Sequence, residues 1–199
     1  MDKAPVLSFS EYNDDVMKNL LVFDCFGVLY EEIAPRYLAS FLPREKAQEV
    51  KERDFPAVDL GKRSLDEVFQ TWEKEFGISK RDAKEKWNKL IIPKKDSFAR
   101  VAELSKKYDL VLLSNAPKGF VEKLFKKNDE EKYFKKLYIS SALGMVKPNR
   151  DIYEFVQKEQ GGNHGQIWMI DDHEENLKIP AELGWNTIHF TGIDSLKDL

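Results

Sequence analysis

A single cysteine, Cys25, stands in a chain of 199 residues. It excludes an internal disulfide and a zinc site built from cysteines. Long apolar runs are missing as well, and the longest falls well short of the roughly 20 residues that cross a bilayer. Neither sign of charge dominates: 32 Lys and Arg are interspersed with 35 Asp and Glu, for a net charge of -3. No strong field toward nucleic acid or an anionic membrane surface follows, so neither is an expected partner. No basic-then-apolar leader opens the sequence, and a reducing cytoplasm is the expected location. What is present is material for a core. Hydrophobic residues make up 42% and aromatics 12%, enough for one substantial folded unit or for a core domain carrying a smaller insertion.

The chain is organised around Leu20-Leu21-Val22-Phe23-Asp24-Cys25-Phe26-Gly27. Four apolar residues predict a strand buried on both faces, as in a parallel sheet, with Asp24 emerging where the chain turns. Ligands of open α/β sheets bind at strand carboxyl ends, so Asp24 is placed for metal binding or nucleophilic attack. An Asp that starts a turn is the plainer alternative. Residues 1–19, ahead of this strand, read as a packed extension. After Tyr30 the spacing becomes helical. Ile33, Tyr37, Leu38, Phe41 and Leu42 recur along one face, and a Lys/Glu-rich segment then runs to Asp54. Ser64 and Glu67 form a capping box for a helix that buries Leu65, Val68, Phe69, Trp72 and Phe76 and ends at Gly77. Ser79 with Asp82 starts another. Residues 31–95 therefore predict an all-helical unit.

From Asp96 strands and helices alternate. Strands are predicted over 110–113, 137–139, 167–170 and 186–190. Pro117 suits the first turn of a helix that buries Phe120, Val121, Leu124 and Phe125. Pro180 is expected to kink the helix over 174–183 or to cost it a backbone hydrogen bond. Three strand ends thus deliver Asp24, Ser114 with Asn115, and Asp171 with Asp172, while Lys147 sits in the turn after another strand. In a parallel sheet these ends share one edge. Taken singly, Ser114-Asn115 reads equally well as an ordinary turn, Lys147 as a solvated lysine and Asp171-Asp172 as a helix cap. Cys25 reads as a small buried filler, and His164 and His173 as exposed loop residues.

Four motifs occur in order: Phe23-Asp24-Cys25-Phe26-Gly27-Val28-Leu29, Leu113-Ser114-Asn115, Gly144-Met145-Val146-Lys147-Pro148, and Ile170-Asp171-Asp172 followed by Asn176. In this set the chain resembles the haloacid dehalogenase-like hydrolase superfamily over about residues 20–190, in its subgroup with a helical cap inserted after the first motif (subfamily IA, C1-type cap). The resemblance implies a doubly wound, Rossmann-like parallel α/β sheet from residues 1–30 and 96–199, with 31–95 as the cap. It implies that Asp24 attacks phosphorus and becomes an aspartyl phosphate. Mg²⁺ would be held by Asp24, the backbone carbonyl of Phe26 and Asp172, with Asp171 orienting its waters. Ser114, Asn115 and Lys147 would hold the phosphoryl oxygens, joined by the amides of Cys25 and Phe26. The implied partner is a small phosphorylated metabolite.

The match breaks at Phe26. Phosphatases of the superfamily usually place there a second Asp that protonates the leaving oxygen and then activates water. A phenyl ring transfers no proton, and loss of a positioned acid/base costs about 10²- to 10⁴-fold in rate. Three readings follow. The chain is a Mg²⁺-dependent phosphatase or phosphotransferase whose leaving group needs little protonation or whose proton comes from another donor such as His173. Or Asp24 attacks carbon, as in 2-haloacid dehalogenases, which carry an aromatic residue at this position; Arg36 is then the candidate partner for a substrate carboxylate. Or the fold serves binding without turnover. The Asp171-Asp172 ending favours the first.

Overall fold

In the computed structural model, residues 17–162 and 164–199 are described; most of the 1–19 extension therefore lies outside the described residues. The central strand β1 (Leu20–Phe23) is fully buried along its length. It pairs in parallel with β2 (Asp109–Ser114) on one side and β4 (Ile167–Asp171) on the other. β3 (Lys136–Ile139) and β5 (Asn186–His189) complete a five-stranded sheet in the order β3-β2-β1-β4-β5. Every pairing is parallel, so all five carboxyl ends lie on one edge. The period of two sorts the strand residues between two cores. Leu21, Phe23, Leu110, Leu112 and Ile170 face one side, where α5 (Lys95–Leu104) and α6 (Phe120–Asn128) pack. Leu20, Val22, Val111, Leu113 and Met169 face the other, against α8 (Arg150–Glu159) and α9 (Glu175–Glu182). This is the doubly wound α/β arrangement expected.

Between β1 and α5 lie four helices with a core of their own. They are α1 (Ala34–Ala39), α2 (Arg44–Asp59), α3 (Leu65–Phe76) and α4 (Lys80–Lys89). Their centre is aromatic: Tyr37 stacks on Trp72 at 5.4 Å between ring centroids, and Phe55 stacks on Trp87 at 6.0 Å. Both elements of the predicted capping box are present at Ser64 and Glu67, and Gly77 ends α3 with φ +69°. The chain leaves and re-enters the sheet along paired backbone. Glu31 N donates to Ile92 O at 2.9 Å and Lys94 N to Leu29 O at 2.8 Å.

Of the two prolines singled out, Pro117 departs from expectation and Pro180 costs its helix a backbone hydrogen bond as expected. Pro117 precedes α6 instead of opening it, because Gly119, at φ +71°, turns the chain and serves as the N-cap. Pro180 lies inside α9 and cannot donate to the carbonyl of Asn176 four residues back. The Tyr153 hydroxyl donates to that carbonyl at 2.9 Å, so the helix continues with the group satisfied. His164 is also not an exposed loop residue: its ring lies 3.3 Å from Lys18 O and 3.2 Å from Gln160 Oε1. Among the described residues no helix is long and apolar enough to cross a membrane.

Candidate active site

The carboxyl edge of the sheet brings Asp24, Asp171, Asp172 and Lys147 together. Asp24 follows β1 and is 7% exposed. Its Oδ1 accepts the Cys25 amide at 2.6 Å and meets Lys147 Nζ at 2.9 Å. Its Oδ2 has no hydrogen-bond partner among the described residues. One oxygen is held and the other is free. Lys147 does not directly follow a strand, as the sequence suggested; β3 leads first into a four-residue helix, α7 (Ser140–Leu143), and Gly144 at φ +69° ends it. The lysine is buried all the same, and its Nζ donates to Asp171 Oδ2 at 2.6 Å. Asn115 fixes its backbone from both sides: Lys147 N donates to Asn115 Oδ1 and Asn115 Nδ2 to Lys147 O, each at 2.9 Å.

Asp171 is wholly enclosed and accepts from every side. Besides Lys147 it takes the His173 amide at 2.9 Å and Asn176 Nδ2 at 3.0 and 3.1 Å. Asp172 lies against Gly27, where a Cβ would come within 2.0 Å of its Oδ2 and where φ is +87°. Only glycine allows both the turn and this close approach. Asp24, Asp171 and Asp172 each present an oxygen within 4.8 Å of the other two. Burial pushes the Asp24 carboxyl up, Lys147 pulls it down, and the charges of Asp171 and Asp172 push it up again, leaving it above the ordinary range. Three carboxylates face the Lys147 ammonium and, at Asp172, the His173 ring, so negative charge is in excess at the centre when all three are ionised. An all-oxygen donor set with that imbalance fits a hard divalent cation such as Mg²⁺.

The remaining expected residues fall in distinct places. Ser114 is buried at the end of β2, does not line the cavity, and its Oγ lacks a partner among the described residues. The Cys25 side chain is core filler, and burial pushes its thiol well up, away from nucleophilic use. Phe26 forms part of the cavity wall at the seam between sheet and helices, its ring 6.1 Å from that of Phe120. His173 is half-exposed and lines the same cavity, and the hydrogen bond from Nδ1 to Asp172 Oδ1 at 2.9 Å pushes it up to about 9. Arg36 does not line it and instead approaches Glu31 at 3.8 Å.

The cavity, about 240 Å³, has the Asp24–Lys147 centre as its floor and the helical segment as its roof. Glu32, Lys51 and Asp59 line it, and the sequence did not single them out. The signal was present in Lys51, Phe55 and Asp59, spaced four apart along α2, a spacing that puts all three on one helix face.

A family model described as a haloacid dehalogenase-like hydrolase matches residues 18–184. A D-ribitol-5-phosphate phosphatase of Bacteroides thetaiotaomicron is 27% identical over 198 residues, covering 86% of this chain and 91% of that protein. A crystal structure of a HAD family enzyme from the same organism, in complex with magnesium and inorganic phosphate, superposes with a TM-score of 0.67 at 27% identity, over 86% of this chain and 92% of that one. The L-2-haloacid dehalogenase of Xanthobacter autotrophicus shares the fold, with a TM-score of 0.64 at 16% identity over 91% of this chain and 81% of its own.

Proposed function

The chain belongs to the haloacid dehalogenase-like hydrolases, and on that premise we propose that it is a magnesium-dependent phosphatase that acts through Asp24 on a small phosphorylated metabolite. The observation that carries this is the charge imbalance at the sheet edge: three carboxylates against the Lys147 ammonium and the His173 ring, with one oxygen of Asp24 left free. Asp24 and Asp172 would hold the ion, with the Phe26 carbonyl beside Gly27 as a third donor. Asp171, whose oxygens are already taken by four hydrogen bonds, orients Lys147 and the loop after β4. Bound there, Mg²⁺ neutralises charge between a carboxylate and a phosphate dianion that otherwise repel. Lys147, which lines the cavity, would take a phosphoryl oxygen, with Asn115 holding Lys147 in place. Asp24 would then attack phosphorus in line, forming an aspartyl phosphate that water hydrolyses.

Residues 31–95 would serve as a cap that closes over the floor and excludes water. The magnesium and phosphate bound in the solved HAD family enzyme, and the phosphatase activity in the name of the D-ribitol-5-phosphate phosphatase, support the same reading. D-ribitol 5-phosphate, the substrate in that relative's name, is the first metabolite to try. The test is phosphate release from an aryl phosphate by wild type and Asp24→Asn, with Mg²⁺ or with excess EDTA. Release that requires both Asp24 and metal supports the proposal. Halide release from 2-chloropropionate, with no phosphate release under any condition, would replace it with attack on carbon.

A further inference from the structure

Phe26 leaves the phosphatase reading without a group to protonate the departing oxygen, so the groups on the cavity wall that can carry a proton have to be considered one by one. Asp24 and Lys147 are paired to each other in the floor. His173 is held by Asp172, and Glu32 belongs to the same knot, with ligand atoms of Glu32, Asp172 and His173 all within 4.8 Å of one another. Both therefore sit on the metal side. Lys51 brings a positive charge to the wall, suited to holding an anionic group of the substrate. Asp59 remains. Among the described residues it makes no hydrogen bond and no ion pair, and it faces the cavity from the end of α2, one turn beyond Phe55.

Its position is fixed by packing. Two residues on, Gly61 sits so close to α7 that a Cβ would lie 2.3 Å from Ser141 O, which seats the carboxyl end of α2 directly on the sheet domain. A carboxyl at that point is carried by a rigid element anchored beside the floor, where a positioned proton donor belongs. Its surroundings suit the role. Burial raises Asp59, Lys51 on the preceding turns of α2 lowers it, Glu32 raises it and Lys147 lowers it, and the result is about 6. That lies near neutrality, where a carboxyl can both give and take a proton.

We propose that Asp59 is the general acid and base of this enzyme, supplied by the helical segment in place of the residue that Phe26 displaces. The proposal rests on the phosphatase reading above. In the first step the free Asp24 oxygen bonds to phosphorus and the P–O bond to the leaving group breaks. The electron pair stays on the leaving oxygen, which takes the proton from Asp59 and departs as the alcohol. In the second step Asp59, now a carboxylate, removes a proton from water as the water oxygen bonds to phosphorus. The P–O bond to Asp24 breaks, Asp24 recovers its carboxylate, inorganic phosphate leaves, and Asp59 is again protonated.

The experiment compares kcat/KM for an alkyl phosphate, whose leaving group needs a proton, with that for an aryl phosphate, whose leaving group does not. It uses wild type, Asp59→Asn, Asp59→Glu and Glu32→Gln, with thermal melts to confirm folding. The expected result is that Asp59→Asn loses about 10²- to 10⁴-fold on the alkyl ester and at least about tenfold less on the aryl ester. Asp59→Glu should recover part of the alkyl activity. Equal losses on both esters, no loss on either, or the leaving-group-dependent loss appearing in Glu32→Gln instead would each overturn the proposal. So would a wild type that cleaves the aryl ester alone. Failure of the phosphatase reading itself would look different: wild type would release phosphate from neither ester, or release would survive Asp24→Asn or EDTA.

Discussion

Asp24 and Asp54 are both buried aspartates beside cations, and they could hardly be treated more differently. Asp54, 2% exposed, sits in the core of the helical segment with two donors on each oxygen. Oδ1 takes Arg53 Nε at 3.1 Å and Arg63 Nη1 at 2.9 Å, and Oδ2 takes Arg53 Nη2 at 2.8 Å and Trp72 Nε1 at 2.7 Å. Burial raises its pKa, but the hydrogen bonds from Arg53, Trp72 and Arg63 outweigh that and hold it below the usual range. Asp24 has both of its partners on one oxygen, two further carboxylates nearby, and a raised pKa. A saturated buried carboxylate fixes structure, whereas an undersatisfied one in excess negative charge is poised to take a cation or attack an electrophile.

The sharpest way to break this comparison is to remove each charge in turn. Asp24→Asn should abolish phosphate release, by about 10⁴-fold or more, while its melting temperature without metal stays at or above wild type because a repulsive charge is gone. Lys147→Met removes the single ammonium from three carboxylates. It should cost about 3–5 kcal/mol in a metal-free melt, as loss of one partner of a buried ion pair does. Asp54→Asn should cost less, about 1–3 kcal/mol, since Arg53 and Arg63 reach solvent when released. It should leave the catalytic rate of the folded protein within about twofold of wild type. A fall in kcat to match Asp24→Asn would erase the distinction.

Much of the sheet edge was legible before any coordinates, because the relevant side chains follow apolar runs that stop abruptly. β1 spans the residues expected, and Asp24, Ser114, Asn115, Asp171 and Asp172 are at strand ends. The helical segment was harder to read. Its longest helix, α2, buries Ala47, Val50, Asp54, Phe55 and Val58, so a charged residue interrupts the apolar stripe and hides the periodicity. Asp54 is buried there only because Arg63 and Trp72 arrive from farther along the chain. The same holds for Lys51 and Asp59, whose face was knowable only once α2 was docked, and for Arg36, whose charge turns to Glu31.

The smallest effect expected is in the pH dependence of stability. Asp54 has a folded pKa depressed below its unfolded value, near 3.8, so its stabilisation is complete above that value and is lost as pH falls through the folded pKa. The gap in melting temperature between wild type and Asp54→Asn should therefore be constant at neutral pH and close only in strong acid. A gap that closed between about pH 5 and 7 would mean that Asp54 is not held ionised by its donors.

The most direct test of the central claim, that the sheet edge is undersupplied with positive charge, is a calorimetric titration of Mg²⁺ into the metal-free protein. Wild type and Asp54→Asn should each bind one ion, and Asp172→Asn should bind none over the same range. No binding by wild type, or equal binding by Asp172→Asn, would contradict it.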